Sequence, residues 1–145
     1  MKTLVGIIIA SLLSVFSATA GAQESSSYKN GVVISVSYIK IKPGKFDDYM
    51  AFLDSDYKAL MEANKKAGLI LSYSVFSAQA RNPHEADVIL TTTFANMAAL
   101  DRDTEADAVA AKVLGAQTAQ NKAIVDRGAM REVLGSELIR ELVLK

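Results

Sequence analysis

The chain of 145 residues contains no cysteine, no tryptophan, one histidine and only two prolines. Without thiols it has no disulfide, no thiolate nucleophile, no thiolate metal ligand and no cysteine for lipid attachment. The folded part must therefore hold by packing alone. Charge of one sign is equally scarce, because 16 basic side chains face 16 acidic ones with no basic run. Nucleic acid, which is held by clustered Lys and Arg, is not an expected partner. A Gly-rich phosphate loop, a nucleophile elbow and a His-Glu-x-x-His pattern are all missing, so nucleotide, hydrolase and zinc-protease readings find no support.

What is there begins with an export signature. Lys2 precedes an apolar run from Leu4 to Phe16, followed by small residues at Ala18, Ala20 and Ala22. This pattern predicts a secretory signal peptide over residues 1–22. Cleavage after Ala20 or Ala22 fits the small-x-small rule, and cleavage after Ala22 leaves Gln23 as the new N-terminus. The run is shorter than the roughly 18 apolar residues that a spanning helix needs, so no membrane segment is expected after cleavage and the address is periplasmic or secreted. Without Lys2 the 16 basic side chains become 15, against 16 acidic ones. Residues 23–31, polar and Ser-rich, read as a flexible lead. Residues 32–145 read as one domain, long enough for a single core.

That domain is organised around residues 32–67. The segment VVISVSYIKI alternates with a period of two and is rich in β-branched residues, which predicts a strand. Lys42-Pro43-Gly44-Lys45 ends it, and Phe46, Tyr49, Leu53, Tyr57, Met61 and Asn64 recur at helical spacing up to Gly68. Leu69–Ala78 and Asp87–Phe94 alternate again and read as a hairpin around Asn82-Pro83-His84. Asn96 is a good N-cap for a helical region that breaks near Glu105 and ends at Arg127-Gly128. Gly135-Ser136 reads as a turn, and Glu137–Leu144 as the last strand.

Strand, helix, strand, strand, helix, strand is an α+β order, the ferredoxin-like split βαβ arrangement: an antiparallel sheet with helices on one face. Parity assigns Ser35, Ser37, Ser72, Ser74, Thr91 and Thr93 to the helix-free face, beside Ile39, Ile70, Phe76, Ile89, Ile139 and Val143. Such a mixed face suits pairing of two sheets, so a homodimer through it is expected.

The run Val36-Ser37-Tyr38-Ile39-Lys40-Ile41-Lys42-Pro43-Gly44-Lys45-Phe46, the Gly68-led second strand and the Phe94-Ala95-Asn96-Met97 link resemble the dimeric α/β-barrel superfamily, which includes the antibiotic biosynthesis monooxygenase-like domains. The likeness covers about the whole of residues 32–145 and rests on architecture. It implies two subunits closing their sheets into a barrel, with a small-molecule pocket between each sheet and its own helices. Members include cofactor-independent oxygenases, haem-degrading enzymes, lactone isomerases and proteins with no known reaction. The chain departs from the enzymatic subfamilies in having no Trp and only His84, so the resemblance carries over no catalytic residue. The ending Arg131–Glu141 is similar to small exported bacterial proteins of unknown function.

His84 is the candidate for proton transfer or haem ligation, since imidazole exchanges protons near neutrality. It follows Asn82-Pro83 in a loop, where solvent exposure is the ordinary outcome. Tyr38, Tyr49 and Tyr73 are placed by parity where sheet meets helix and could orient a ligand, although aromatic core packing is the plainer reading. Arg140 shares a parity with Leu138, Leu142 and Leu144 and could clamp an anion or pair with an acidic neighbour. Asp54/Asp56 and Asp101/Asp103 point apart on helices, so neither a metal nor a cofactor is expected. Two functions follow: an exported homodimer binding a small apolar or aromatic molecule between sheet and helices, or a cofactor-independent monooxygenase or isomerase on the same scaffold. A third class is a structural protein whose mixed sheet face receives another chain.

Overall fold

The structure, a computed structural model, describes residues 26–145; the expected leader and its cleavage point lie outside them. Strand β1 (Tyr28–Ile41) leads through the Pro43-Gly44 turn into a helical stretch formed by α1 (Phe46–Phe52), a π-helical turn (Leu53–Tyr57) and α2 (Lys58–Lys66). Strands β2 (Ser72–Ser77) and β3 (Val88–Phe94) follow. A 3-10 turn (Met97–Asp101), α3 (Asp103–Leu114) and α4 (Gln117–Met130) then lead to β4 (Arg131–Leu144). The four strands form one antiparallel sheet in the order β2-β3-β1-β4. This is the expected α+β, ferredoxin-like arrangement, with β1 central and β4 at an edge.

The π turn has a mechanical role. A strict four-residue spacing drifts around a 3.6-residue helix, and one wider turn removes part of that drift. Tyr49, Leu53 and Tyr57 are thereby kept toward the sheet, where Tyr49 and Leu53 pack with Ile39 and Val88 in the core. Ser55 marks the turn by donating its hydroxyl to the Ala51 carbonyl at 2.8 Å. At the far end Gly68, at φ +68°, takes the left-handed conformation that lets the chain leave α2 and enter the sheet.

Several expectations are corrected. Of the flexible lead expected over residues 23–31, residues 23–25 lie outside the described residues and residues 28–31 belong to β1, whose Tyr28 pairs with Leu144. Local polarity hid this because partnership with β4, not composition, orders the segment. Gly135-Ser136 is not a turn but lies inside β4, at a bulge where Tyr38 pairs with Gly135 and Ile39 with Val133. The expected break near Glu105 lies at Arg102, between the 3-10 turn and α3, and a second, unexpected break falls at Gly115, whose φ of +85° ends α3.

The largest correction concerns the faces of β1. Ile39 has no exposed surface and packs beneath the helices, paired with Val88. By register Ser35 and Ser37 share that face, while Tyr38 pairs with Ile89 on the helix-free side. Ile70 is buried as well, beside Leu69 just before β2. Phe76, Ile139 and Val143 do occupy the helix-free face in the register and stay exposed.

Candidate functional site

The candidate site residues, including the three tyrosines expected to share one face, are dispersed. Tyr49 is fully buried under α1, its hydroxyl without a hydrogen-bond partner, and burial pushes its pKa up against the pull of Arg131 and Arg127. Tyr73 lies on the helix side near the β2 edge and donates to Glu62 Oε1 at 2.8 Å, the bond that raises its pKa. Tyr38 is on the opposite face, donating to Glu137 Oε1 at 2.5 Å, and this bond likewise raises its pKa. Arg140 is paired with Val33 in the ladder and exposed on the edge strand. His84 is exposed in the β2–β3 loop, its backbone N–H donating to Asn82 Oδ1 at 2.9 Å. No single site gathers these five residues.

A cation-rich cluster surrounds Tyr49. The Arg131 guanidinium sits over the Tyr49 ring at 5.6 Å and that of Arg127 over Phe52 at 5.5 Å. Burial and the neighbouring Arg131 lower the pKa of Arg127. Arg127 Nε and the Tyr57 hydroxyl are buried without partners. The space beside Arg127 and Tyr57 measures about 20 Å³, room for a water but not for an organic molecule.

Larger spaces open elsewhere. Between the end of the sheet and α2 and α3 lies a cavity of about 300 Å³, walled by Met61, Leu69, Ile70, Phe94 and Leu100. Asn64 lines it from α2 with only 9% of its surface exposed, and its side-chain oxygen has no partner. At the rim, Arg102 is fixed by donating to the Gly68 carbonyl at 2.9 Å and by pairing with Glu105. Few oriented polar groups in an apolar wall is the usual composition of a small-molecule site. Asn64 was not expected as a site residue, yet the sequence carried its signal: an amide on the apolar stripe of a helix. On the other face, a cavity of about 390 Å³ lies under the β2–β3 loop, bordered by Tyr38, His84, Ile89 and Gly135.

Among the described residues no three His, Asp or Glu side chains gather to hold a metal ion. No helix among them is long and apolar enough to cross a membrane.

No protein-family model matches the chain. No curated protein matches it either. Several solved structures are similar in fold. A protein from Shewanella oneidensis aligns with TM-score 0.51 at 15% identity, over 80% of this chain and 98% of that one. A dimeric ferredoxin-like protein from an uncultured marine organism aligns with TM-score 0.51 at 11% identity, over 81% and 98%. HapK from Hahella chejuensis aligns with TM-score 0.49 at 15% identity, over 75% and 91%. Sequence identity this low carries the fold alone, and the fold is ferredoxin-like.

Proposed function

We propose that the protein is exported, pairs with a second copy through its helix-free sheet face, and binds a small, largely apolar or aromatic molecule between sheet and helices. Asn64 carries the ligand reading. A buried carboxamide oxygen left unpaired costs on the order of 1–3 kcal/mol, and a ligand donor in the 300 Å³ cavity would relieve that cost. Met61, Leu69, Ile70 and Phe94 supply the apolar contact. Export is supported by Lys2, the apolar run and the small residues that precede Gln23.

Pairing is supported by Phe76, Ile139 and Val143, which leave apolar surface on a face that no helix of the described residues covers. At about 25 cal/mol per Å², burying a few hundred Å² per subunit offsets much of the cost of association. A dimeric protein among the structural neighbours supports the same reading, and closing two such sheets gives the dimeric α/β barrel.

A thermal-shift screen of small aromatic and aliphatic compounds tests the ligand. A true ligand at about 100 times its Kd stabilises by roughly 2.7 kcal/mol. That shift is expected to vanish in Asn64→Leu. If no compound shifts the wild type, or if hits shift the variant equally, the sheet–helix cavity is not the site.

A further inference from the structure

We infer that the cleft under the β2–β3 loop, on the helix-free face, is a second binding site for a flat, uncharged aromatic molecule bearing one hydrogen-bonding oxygen. At about 390 Å³ its volume falls within the roughly 300–1,000 Å³ of small-molecule sites. Tyr38, Ile89, Leu134, Ala78 and Ala86 supply apolar walls.

Gly135 makes the room. It pairs with Tyr38 and so shares its face, its φ is not positive, and a Cβ placed there would meet nothing within 4 Å. The backbone therefore does not require glycine at this position. A side chain on this strand would instead enter the space in front of Tyr38, and the missing one keeps the cleft open.

The loop above is built, not slack. Glu85 accepts from the Arg81 backbone N–H at 2.7 Å, from Arg81 Nε at 3.1 Å and from Asn82 Nδ2 at 2.9 Å. The base of the loop is fixed by Asp87, which accepts from Lys40 Nζ and the Ile41 N–H, both at 2.9 Å.

These bonds also decide the ligand's charge. Arg81 and Glu85 neutralise each other, and the Tyr38 hydroxyl proton is committed to Glu137. The imidazole of His84 and the carboxamide of Gln79, both lining the cleft, make no hydrogen bond within the described residues. One neutral hydroxyl or carbonyl on an aromatic frame satisfies them. An anion would find its only nearby guanidinium already paired.

The cleft is formed by one chain; the pairing proposed above would roof it, and only that roof rests on the dimer reading. The test uses 2-naphthol and its parent naphthalene, titrated against the mature protein with fluorescence detection while light scattering records the oligomeric state. 2-Naphthol is expected to bind in the micromolar range, and Gly135→Val to weaken it by about tenfold or more with the melting midpoint unchanged. His84→Ala should weaken 2-naphthol by several-fold and leave naphthalene unchanged. Asn64→Leu should leave both unchanged. Failure of the wild type to bind 2-naphthol at millimolar concentration overturns the inference. So does binding lost in Asn64→Leu but kept in Gly135→Val, which would put the molecule in the sheet–helix cavity. A monomeric mass with these affinities intact would remove the roof while sustaining the cleft.

Discussion

β1 and β4 are equal in length, 14 residues each, and pair with one another along nearly their whole extent. Their fates differ. β1 lies between β3 and β4 and buries Val33, Val36 and Ile39. β4 has a neighbour on one side only, and from Glu132 to Leu144 every residue is exposed, including Leu138, Ile139, Leu142 and Val143. Similar apolar content thus gives a core in one strand and an open surface in the other, because burial is set by what stands beside a strand. An open edge rich in apolar residues is the kind of surface that proteins ordinarily cover or interrupt.

Ile39 and Ile139 sharpen the comparison, since they share a side chain but are 0% and 44% exposed. Ile39→Ala should lower unfolding free energy by about 2–5 kcal/mol at any protein concentration, read by urea denaturation. A loss below about 1 kcal/mol would mean that the space under the helices collapses to fill the hole. Ile139→Lys should leave the chain folded but weaken dimerisation by roughly 100-fold, near 3 kcal/mol, as measured by sedimentation. If the variant associates as the wild type does, β4 is not in the interface.

Asp87 anchors the other side of β1 and should matter less. Its burial raises the carboxyl pKa, but the Ile41 N–H and Lys40 outweigh that and hold it below the usual carboxylate range. The group thus contributes stability that is complete above its unfolded pKa near 4 and disappears as acid takes the pH through the lower folded value. Asp87→Ala should cost about 1–2 kcal/mol at neutral pH and flatten the acid limb of a stability-against-pH curve. An unchanged acid limb would rule out this linkage. Smaller still is Tyr49→Phe beneath β1. With the hydroxyl unpartnered, its removal should change stability by between zero and a gain of about 1 kcal/mol, whereas a clear loss would reveal a partner such as water.

The sequence made the order of elements legible because each strand and helix carries its own period. It did not make the faces of β1 legible. Val32, Ile34, Val36 and Tyr38 are all apolar, whereas Ser35 and Ser37 interrupt the set of Val33 and Ile39, so alternation favoured the wrong face for a strand that carries apolar residues on both. That one ambiguity moved Tyr38 away from Tyr49 and Tyr73, and with it the site expected from the three tyrosines. Gly135 was misread for a related reason. Glycine followed by serine is ordinary turn chemistry, and only pairing with β1 reveals a bulge. The slip of the stripe near Asp103 marked a true break at Arg102, whereas the break at Gly115 went unread because that glycine sits among good helix formers. Asn64, by contrast, was visible as a polar residue on an apolar stripe, and its meaning emerged once Leu69, Ile70 and Phe94 closed around it.

The claim on which the contrast of the two strands turns is that the exposed apolar face of β4 and its neighbours is covered by a second copy of the chain. Light scattering coupled to size exclusion, on the purified protein at micromolar concentration, tests it most directly. The account predicts twice the mass of one chain. A mass of one chain across that range would contradict it and leave the helix-free face open to a different partner.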